Sequence, residues 1–293
     1  MSPAVAAERE SSKNSAPSLV LVIGKHPELG SALENGLVAR DCEVHYAAGS
    51  ADALRRLRRW PFAVVVTDPT TTIEEDLALL DEMRAVRPGV RIVVLAPSST
   101  PEEIIAALRA RVFLCKSAPF DADEIASYAA QAAANLDAPV GIEVMSAQPD
   151  WISLRMNCQI LTAERLVLFL NELQTRLEGS PRAELMMAFR EILMNAIEHG
   201  GELHPGKVVD VAAVQTARTI VFYVRDPGEG FRWEALEHAA VCNPDEDPTR
   251  HITLRQEKGM RPGGFGMLIA KGVVDELIYS EVGNEVLLIK HTA

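Results

Sequence analysis

The feature that most constrains this 293-residue chain is an alternation, repeated five times between Ser18 and about Ala134. Apolar runs of strand length alternate with longer stretches whose apolar residues recur at helical spacing. The runs are SLVLVIG (18–24), CEVHYA (42–47), FAVVVTD (62–68), RIVVLA (91–96) and VFLCK (112–116). The helical stretches are 27–40, with Leu29, Leu33 and Leu37 on one stripe, and then 51–59, 77–86, 101–110 and 121–136. Strands separated by helices of this length form right-handed βαβ units. The pattern therefore predicts a doubly wound α/β domain over 18–136, with a parallel five-stranded sheet covered on both faces.

The alternation stops at DAPVG (137–141), which reads as a linker. Over 142–293 the pattern predicts an α+β two-layer sandwich with a mostly antiparallel sheet. Strands are expected at 142–146 and 151–157, then a long helix with Leu166, Leu170, Leu173 and Leu177 on one stripe. A second helix starts near Pro181 and is expected to run to about His199, where Gly200-Gly201 stops it. A strand pair (207–214, 218–226), a helix (266–275) and the strands ELIYSE and EVLLIK complete the half. The polar segment from Phe231 to Pro262 is long for a connection inside a compact domain and is a candidate lid.

Composition narrows the partners. With 41 acidic and 29 basic residues the formal net charge is −12, so a phosphate backbone is repelled and no nucleic-acid partner is expected. The one basic run, Arg55 to Arg59, lies on a predicted helix and reads as a solvated face. No apolar run approaches the ~18 residues that a membrane span needs. Residues 1–17, rich in Ser, Ala and Glu, lack the apolar core of a secretory signal and read as a disordered tail. Cys42, Cys115, Cys158 and Cys242 are far apart, which fits reduced thiols and a cytoplasmic location.

Three fragments of the second half carry chemistry. In EILMNAIEHGG (191–201), Glu191, Asn195 and His199 are spaced to share one helix face, beside an apolar face of Leu185, Ala188, Ile192 and Ala196. An amide oxygen can ligate Mg²⁺, and a carboxylate one turn earlier can deprotonate a hydroxyl. In RDPGEGF (225–231), Asp226 ends an apolar strand, and Gly228 and Gly230 let the backbone approach a ligand. In RPGGFGMLIAKGVVDEL (261–277), glycines run into a helix start, whose free N–H groups favour phosphate, and Arg261 can add charge-assisted bonds. Each fragment alone is equally compatible with a solvated helix face, a capped turn or a flexible loop.

Together and in this order, the fragments resemble the N, G1 and G2 boxes of the GHKL superfamily of ATPases and kinases, and among its members the anti-sigma-factor serine kinases. The resemblance spans roughly 150 residues of the chain. It implies ATP and Mg²⁺ as cofactors, Asn195 as the Mg²⁺ residue, Glu191 as catalytic base and Asp226 as the adenine reader. The pocket would be shaped by Gly228, Gly230, Gly263, Gly264 and Gly266, with Arg261 nearby. His199 matches the family pattern, but no step is assigned to it.

The first half resembles the flavodoxin-like receiver domain of response regulators. Asp68 ends the third strand, at the position of that family's phosphoacceptor, and Lys116 ends the fifth, with Phe113 before it and Pro119-Phe120 after it. Where the family carries an acidic pair after its first strand, this chain has Gly24-Lys25, and the switch Ser/Thr position holds Ala96, with Ser98 and Ser99 following. A divalent ion at Asp68 would have one carboxylate where phosphoryl transfer needs more charge neutralisation. The domain thus reads as a degenerate receiver.

The functional expectation is an ATP-dependent signalling protein, in the resembling family a serine/threonine kinase acting on an anti-anti-sigma (STAS) protein and, through it, on a sigma factor. The alternative is a non-catalytic ATP-binding switch that sequesters its partner. A hybrid histidine kinase would need a phosphoacceptor His in a dimerisation helix, yet residues 26, 45, 199, 204, 238, 251 and 291 all lie outside 121–136 and 163–178. By resemblance a homodimer is compatible with both halves.

Overall fold

The computed structural model describes residues 16–24, 27–230 and 265–292, with Arg250, Thr253 and Glu257 between them. It divides into two compact units. One runs through Ser98 and includes Val112–Pro139; the other comprises Ser99–Arg111 and the chain from Val140 onward. Among the described residues no helix is long and apolar enough to cross a membrane.

The first sheet has the order β2-β1-β3-β4-β5 and is parallel throughout, the flavodoxin-like order. Its strands are β1 (Ser18–Ile23), β2 (Cys42–Ala47), β3 (Val64–Thr67), β4 (Arg91–Ala96) and β5 (Leu114–Ser117). The helices that come after them are α1 (Pro27–Val38), α2 (Ser50–Arg59), α3 (Ile73–Val86), α4 (Pro101–Arg109) and α5 (Ala122–Ala134). Every residue of β3 is buried, as expected of a strand covered on both faces.

Two of the boundaries that differ from the pattern have a local cause. Helix α3 starts at Ile73, before the apolar run at 77, because Thr72 and Glu75 form a capping box that holds an extra turn. Strand β5 starts at Leu114, because Arg111 takes a left-handed φ of 54° and its N–H closes onto Leu108 O at 2.9 Å.

The second sheet has the order β10-β11-β9-β8-β7-β6 and is antiparallel. Its strands are β6 (Ile142–Gln148), β7 (Trp151–Asn157), β8 (Val208–Gln215), β9 (Thr219–Arg225), β10 (Glu276–Tyr279) and β11 (Glu285–His291). Its helices are α6 (Ile160–Leu173), α7 (Gly179–Asn195) and α8 (Gly266–Val273). Alternate residues of each central strand are buried, and Phe189 of α7 stacks on Phe222 of β9 with ring centroids 4.5 Å apart. Such a pair adds roughly 1 kcal/mol beyond its area burial. Helix α6 stops before Leu177: the Gln215 side chain donates to Leu173 O at 3.0 Å, and Gln174 turns extended. The expected stripe therefore ends at Leu173.

At the C-terminal edge of the first sheet, Asp68 comes directly after β3 and is 3% exposed. Its carboxylate accepts from the Thr70 N–H at 3.0 Å and from the Thr70 hydroxyl. Gly24 has φ +116°, and a Cβ built there would lie 2.0 Å from Asp68 Cγ. The space that a first acidic residue would use is thus filled by the Asp68 carboxylate itself. Lys116 lies within β5, and Lys25 lies outside the described residues. Beneath this edge Asp76 is buried, and its carboxylate accepts from Thr67 Oγ1 at 2.6 Å and Thr71 Oγ1 at 2.8 Å. Burial pushes the Asp76 carboxyl up to about 6, and the charges of Glu75 and Asp68 add to the rise, against those two hydrogen bonds.

Gly24→Ala should destabilise the first unit by about 2 kcal/mol or more, through both the left-handed φ and the clash. Adding Asp68→Ala should recover part of the loss in urea unfolding; no recovery would place the strain elsewhere. For Asp76, the folded state holds the proton more tightly than the unfolded chain does. That stabilisation is complete below the unfolded-chain value and lost as pH rises through about 6. Relative to Asp76→Asn, the wild type should lose on the order of 2 kcal/mol between pH 4 and pH 7. A pH-independent difference between the two proteins would contradict the assignment.

Candidate functional site

The site is built from α7, the loop after β9 and the start of α8. Helix α7 is amphipathic: Leu185, Ala188, Phe189, Ile192 and Leu193 are buried, while Glu191 and Asn195 lie at the boundary, partly exposed. The helix does not continue regularly to His199. It passes at Ala196–Gly200 into one π turn, closed by Gly201 N–H onto Ala196 O at 2.8 Å. A π turn is wider than an α turn and rotates the residues after it around the helix axis. His199 lies within this turn and is exposed, whereas Glu191 and Asn195 are partly exposed.

The π turn also positions Gly200. A Cβ there would lie 2.1 Å from Asp226 Oδ1, so only bare backbone lets Asp226 pack against the end of α7. Asp226 is held from three sides. Its N–H donates to Asn284 O at 3.0 Å, its Oδ1 accepts from the Gly228 N–H at 2.8 Å, and Gly200 lies beneath. A Cβ on Gly228 would approach Asp226 Oδ1 at 2.8 Å and Gly200 Cα at 2.9 Å. Gly230, at φ +82°, faces Val282 O, which an added Cβ would meet at 2.0 Å. Burial raises the Asp226 carboxyl above its ordinary range, opposed by the Gly228 hydrogen bond. The Tyr279 hydroxyl nearby is also raised, by burial first and then by the Asp226 charge.

Helix α8 meets α7 at the same place. A Cβ on Gly266 would lie 2.8 Å from Glu191 Oε2 and 3.6 Å from Asn195 Nδ2. The N-cap position is Phe265, no side chain caps it, and the first turn holds no acidic residue. By contrast, α3 and α4 start with capping boxes and acidic first turns. The start of α8 thus carries no negative charge of its own, at the end of the helix where the dipole favours an anion. On the other side, Arg190 pairs with Glu191 at 3.4 Å and with Glu164 of α6 at 3.3 Å.

The structure therefore brings Glu191 and Asn195 together with Gly266, and Asp226 together with Gly228. Arg261, Gly263, Gly264 and nearly all of the segment 231–262 lie outside the described residues. Residues that the sequence did not single out are Gly200, Asn284 and Cys158. Gly200-Gly201 could be read only as a helix stop, yet a Cβ at Gly201 would meet Cys158 Sγ at 2.3 Å. Asn284 acts twice: its backbone carbonyl accepts from the Asp226 N–H, and its side-chain amide donates to Gly228 O at 3.3 Å. Among the described residues no cluster of three His, Cys, Asp or Glu side chains is placed to hold a metal ion. A magnesium ion that keeps several waters and nucleotide oxygens needs only one or two protein ligands.

Residues 160–290 match the family described as the histidine kinase-like ATPase domain. Over 111 residues, 37% of this chain and 68% of the other, the sequence is 32% identical to an anti-sigma F factor of Anoxybacillus flavithermus. Among solved structures, the chain is similar to a response regulator from Thermotoga maritima, at 23% identity and TM-score 0.37, over 41% of this chain and 99% of that one. It is similar also to a CheY-like response regulator receiver domain protein from Methanospirillum hungatei, at 16% identity and TM-score 0.37, over 41% and 97%. By the match of its second half, this chain belongs to the histidine kinase-like ATPase family that includes anti-sigma F factor.

Proposed function

We propose that the chain is a serine/threonine protein kinase of GHKL type, using ATP and Mg²⁺ to phosphorylate a regulatory partner such as an anti-anti-sigma (STAS) protein. The observation that carries this is the seating of Gly266 on Glu191 and Asn195, which puts a carboxylate, an amide and an uncapped helix start within one site. The residues present fit a Mg-nucleotide. Asp226, partly desolvated against glycine backbone, is disposed to accept from an exocyclic amine. The N–H groups at the start of α8 suit phosphate oxygens, and the Asn195 amide oxygen suits a hard cation.

In this scheme ATP would be the phosphoryl donor, and Mg²⁺, where bound, would supply charge neutralisation at the phosphates. Glu191 accepts the proton of the acceptor serine or threonine hydroxyl as its oxygen bonds to phosphorus and ADP leaves. Asn195 would hold the cation, and Asp226 would hold the adenine ring. The first half, residues 18–136, acts as a degenerate receiver that regulates the ATP domain. One observation favours the non-catalytic switch instead: Arg190 engages the Glu191 carboxylate, an interaction that proton abstraction must displace.

Glu191→Ala should retain ATP binding and lose transfer to a STAS-domain protein by about 10²-fold or more, the scale of general-base loss. Transfer measured with γ-labelled ATP at the wild-type rate would remove the base assignment, and binding without any transfer in the wild type would favour the switch. Gly200→Ala should abolish ATP binding and cost about 1–3 kcal/mol of stability, because its Cβ displaces Asp226. Unchanged nucleotide affinity in a folded Gly200→Ala protein would contradict the placement of Asp226.

A further inference from the structure

Two polar contacts tie α6 to α7 along one seam. Near the C-terminal end of α6, Arg182 Nε donates to Asn171 Oδ1 at 3.1 Å, and the same guanidinium reaches Asn171 O. About two turns further along α7 comes Arg190. Its Nη2 donates to Glu164 Oε1 at 3.3 Å, and its Nη1 donates to Glu191 Oε1 at 3.4 Å. The pairing of 171 with 182 and of 164 with 190 means that the two helices run antiparallel. One guanidinium is thus shared by carboxylates from two helices, and both pairs are partly exposed. The two oxygens of Glu191 are divided in use. Oε1 turns to Arg190, while Oε2 is the one that an added Cβ on Gly266 would meet at the start of α8.

We infer that Glu164 and Arg190 are positioning residues for the transfer step: Arg190 passes from Glu191 to Glu164 as Glu191 takes up the hydroxyl proton. This rests on the kinase reading. Charge is the reason for the exchange. Before the step Glu191 is a carboxylate, and Arg190 is paired with it and with Glu164. In the step the acceptor's serine or threonine oxygen bonds to phosphorus and the bond from phosphorus to the ADP oxygen breaks. The hydroxyl proton moves to Glu191, whose charge falls to zero. A guanidinium cannot follow by losing its own proton. Held by Glu191 alone, Arg190 would have to give up its partner as the proton arrived. Glu164 removes that obstacle, because it already lies at hydrogen-bond distance and no backbone has to move. Long, partly exposed ion pairs are individually weak, which suits an exchange between partners rather than a fixed clamp.

The test is transfer from γ-labelled Mg-ATP to a STAS-domain protein by the full chain, with ATP affinity measured by calorimetry for each variant. Glu164→Gln leaves Arg190 with Glu191 as its one carboxylate among the described residues. It should lower kcat about tenfold, the scale of one charge-assisted contact that the step must break, and leave KM for ATP unchanged. Glu164→Gln combined with Arg190→Gln should return kcat toward the wild-type value, because the guanidinium that held Glu191 is gone. A purely structural role predicts the reverse, since losing the second partner would loosen α6 from α7 further. A wild type that transfers label while Glu164→Gln is equally fast overturns the inference and leaves the kinase reading standing. So does a double variant no faster than Glu164→Gln. A wild type that binds ATP and transfers nothing overturns both.

Discussion

At the end of β9 a carboxylate rests on bare backbone. Asp226 can lie against the end of α7 only because Gly200 and Gly228 have no side chains, and because the π turn at 196–200 swings Gly200 under it. The rest of the second unit is consistent with that contact. It fixes α7 relative to the sheet, so Glu191 and Asn195 sit where the start of α8 reaches them, and Gly266 closes the approach. A methyl group at any of these glycines would displace a polar side chain of the site. The glycines are spread over more than sixty residues of sequence, but their physical task is shared.

The first unit uses the same device for another end. Gly24 makes room for Asp68, and Thr70 takes up its carboxylate, so the strand end that could hold an ion is instead internally satisfied. The acidic neighbour Asp76, whose carboxyl feels the Asp68 charge, is itself taken up by Thr67 and Thr71.

Much of the architecture is legible in the pattern. A nearly all-apolar run such as VVVT in β3, set between helical stretches, implies the parallel sheet; in β8 the burial alternates strictly while the letters VVDVAAVQ do not, so there the antiparallel sheet is legible only from the succession of neighbouring strands. Element ends are harder to read. The capping box at Thr72 and the side-chain cap from Gln215 onto Leu173 depend on single hydrogen bonds rather than on period. In the site, Glu191, Asn195, Asp226 and Gly266 are legible because helix spacing, a strand end and a glycine run each leave a local signature. The π turn at 196–200 is not legible because it does not alter the residue pattern, and Asn284 is not legible because its two hydrogen bonds, through the backbone carbonyl and the side-chain amide, reach residues far away in sequence.

The central proposal is that this glycine-lined site would take adenine at Asp226 and phosphates at the start of α8. Calorimetric titration of the full chain with Mg-ATP and Mg-GTP, beside Asp226→Asn, tests it most directly. The account predicts saturable ATP binding, much weaker GTP binding, and loss of ATP binding in a folded Asp226→Asn protein. ATP and GTP binding equally well, or ATP affinity unchanged by Asp226→Asn, would contradict it.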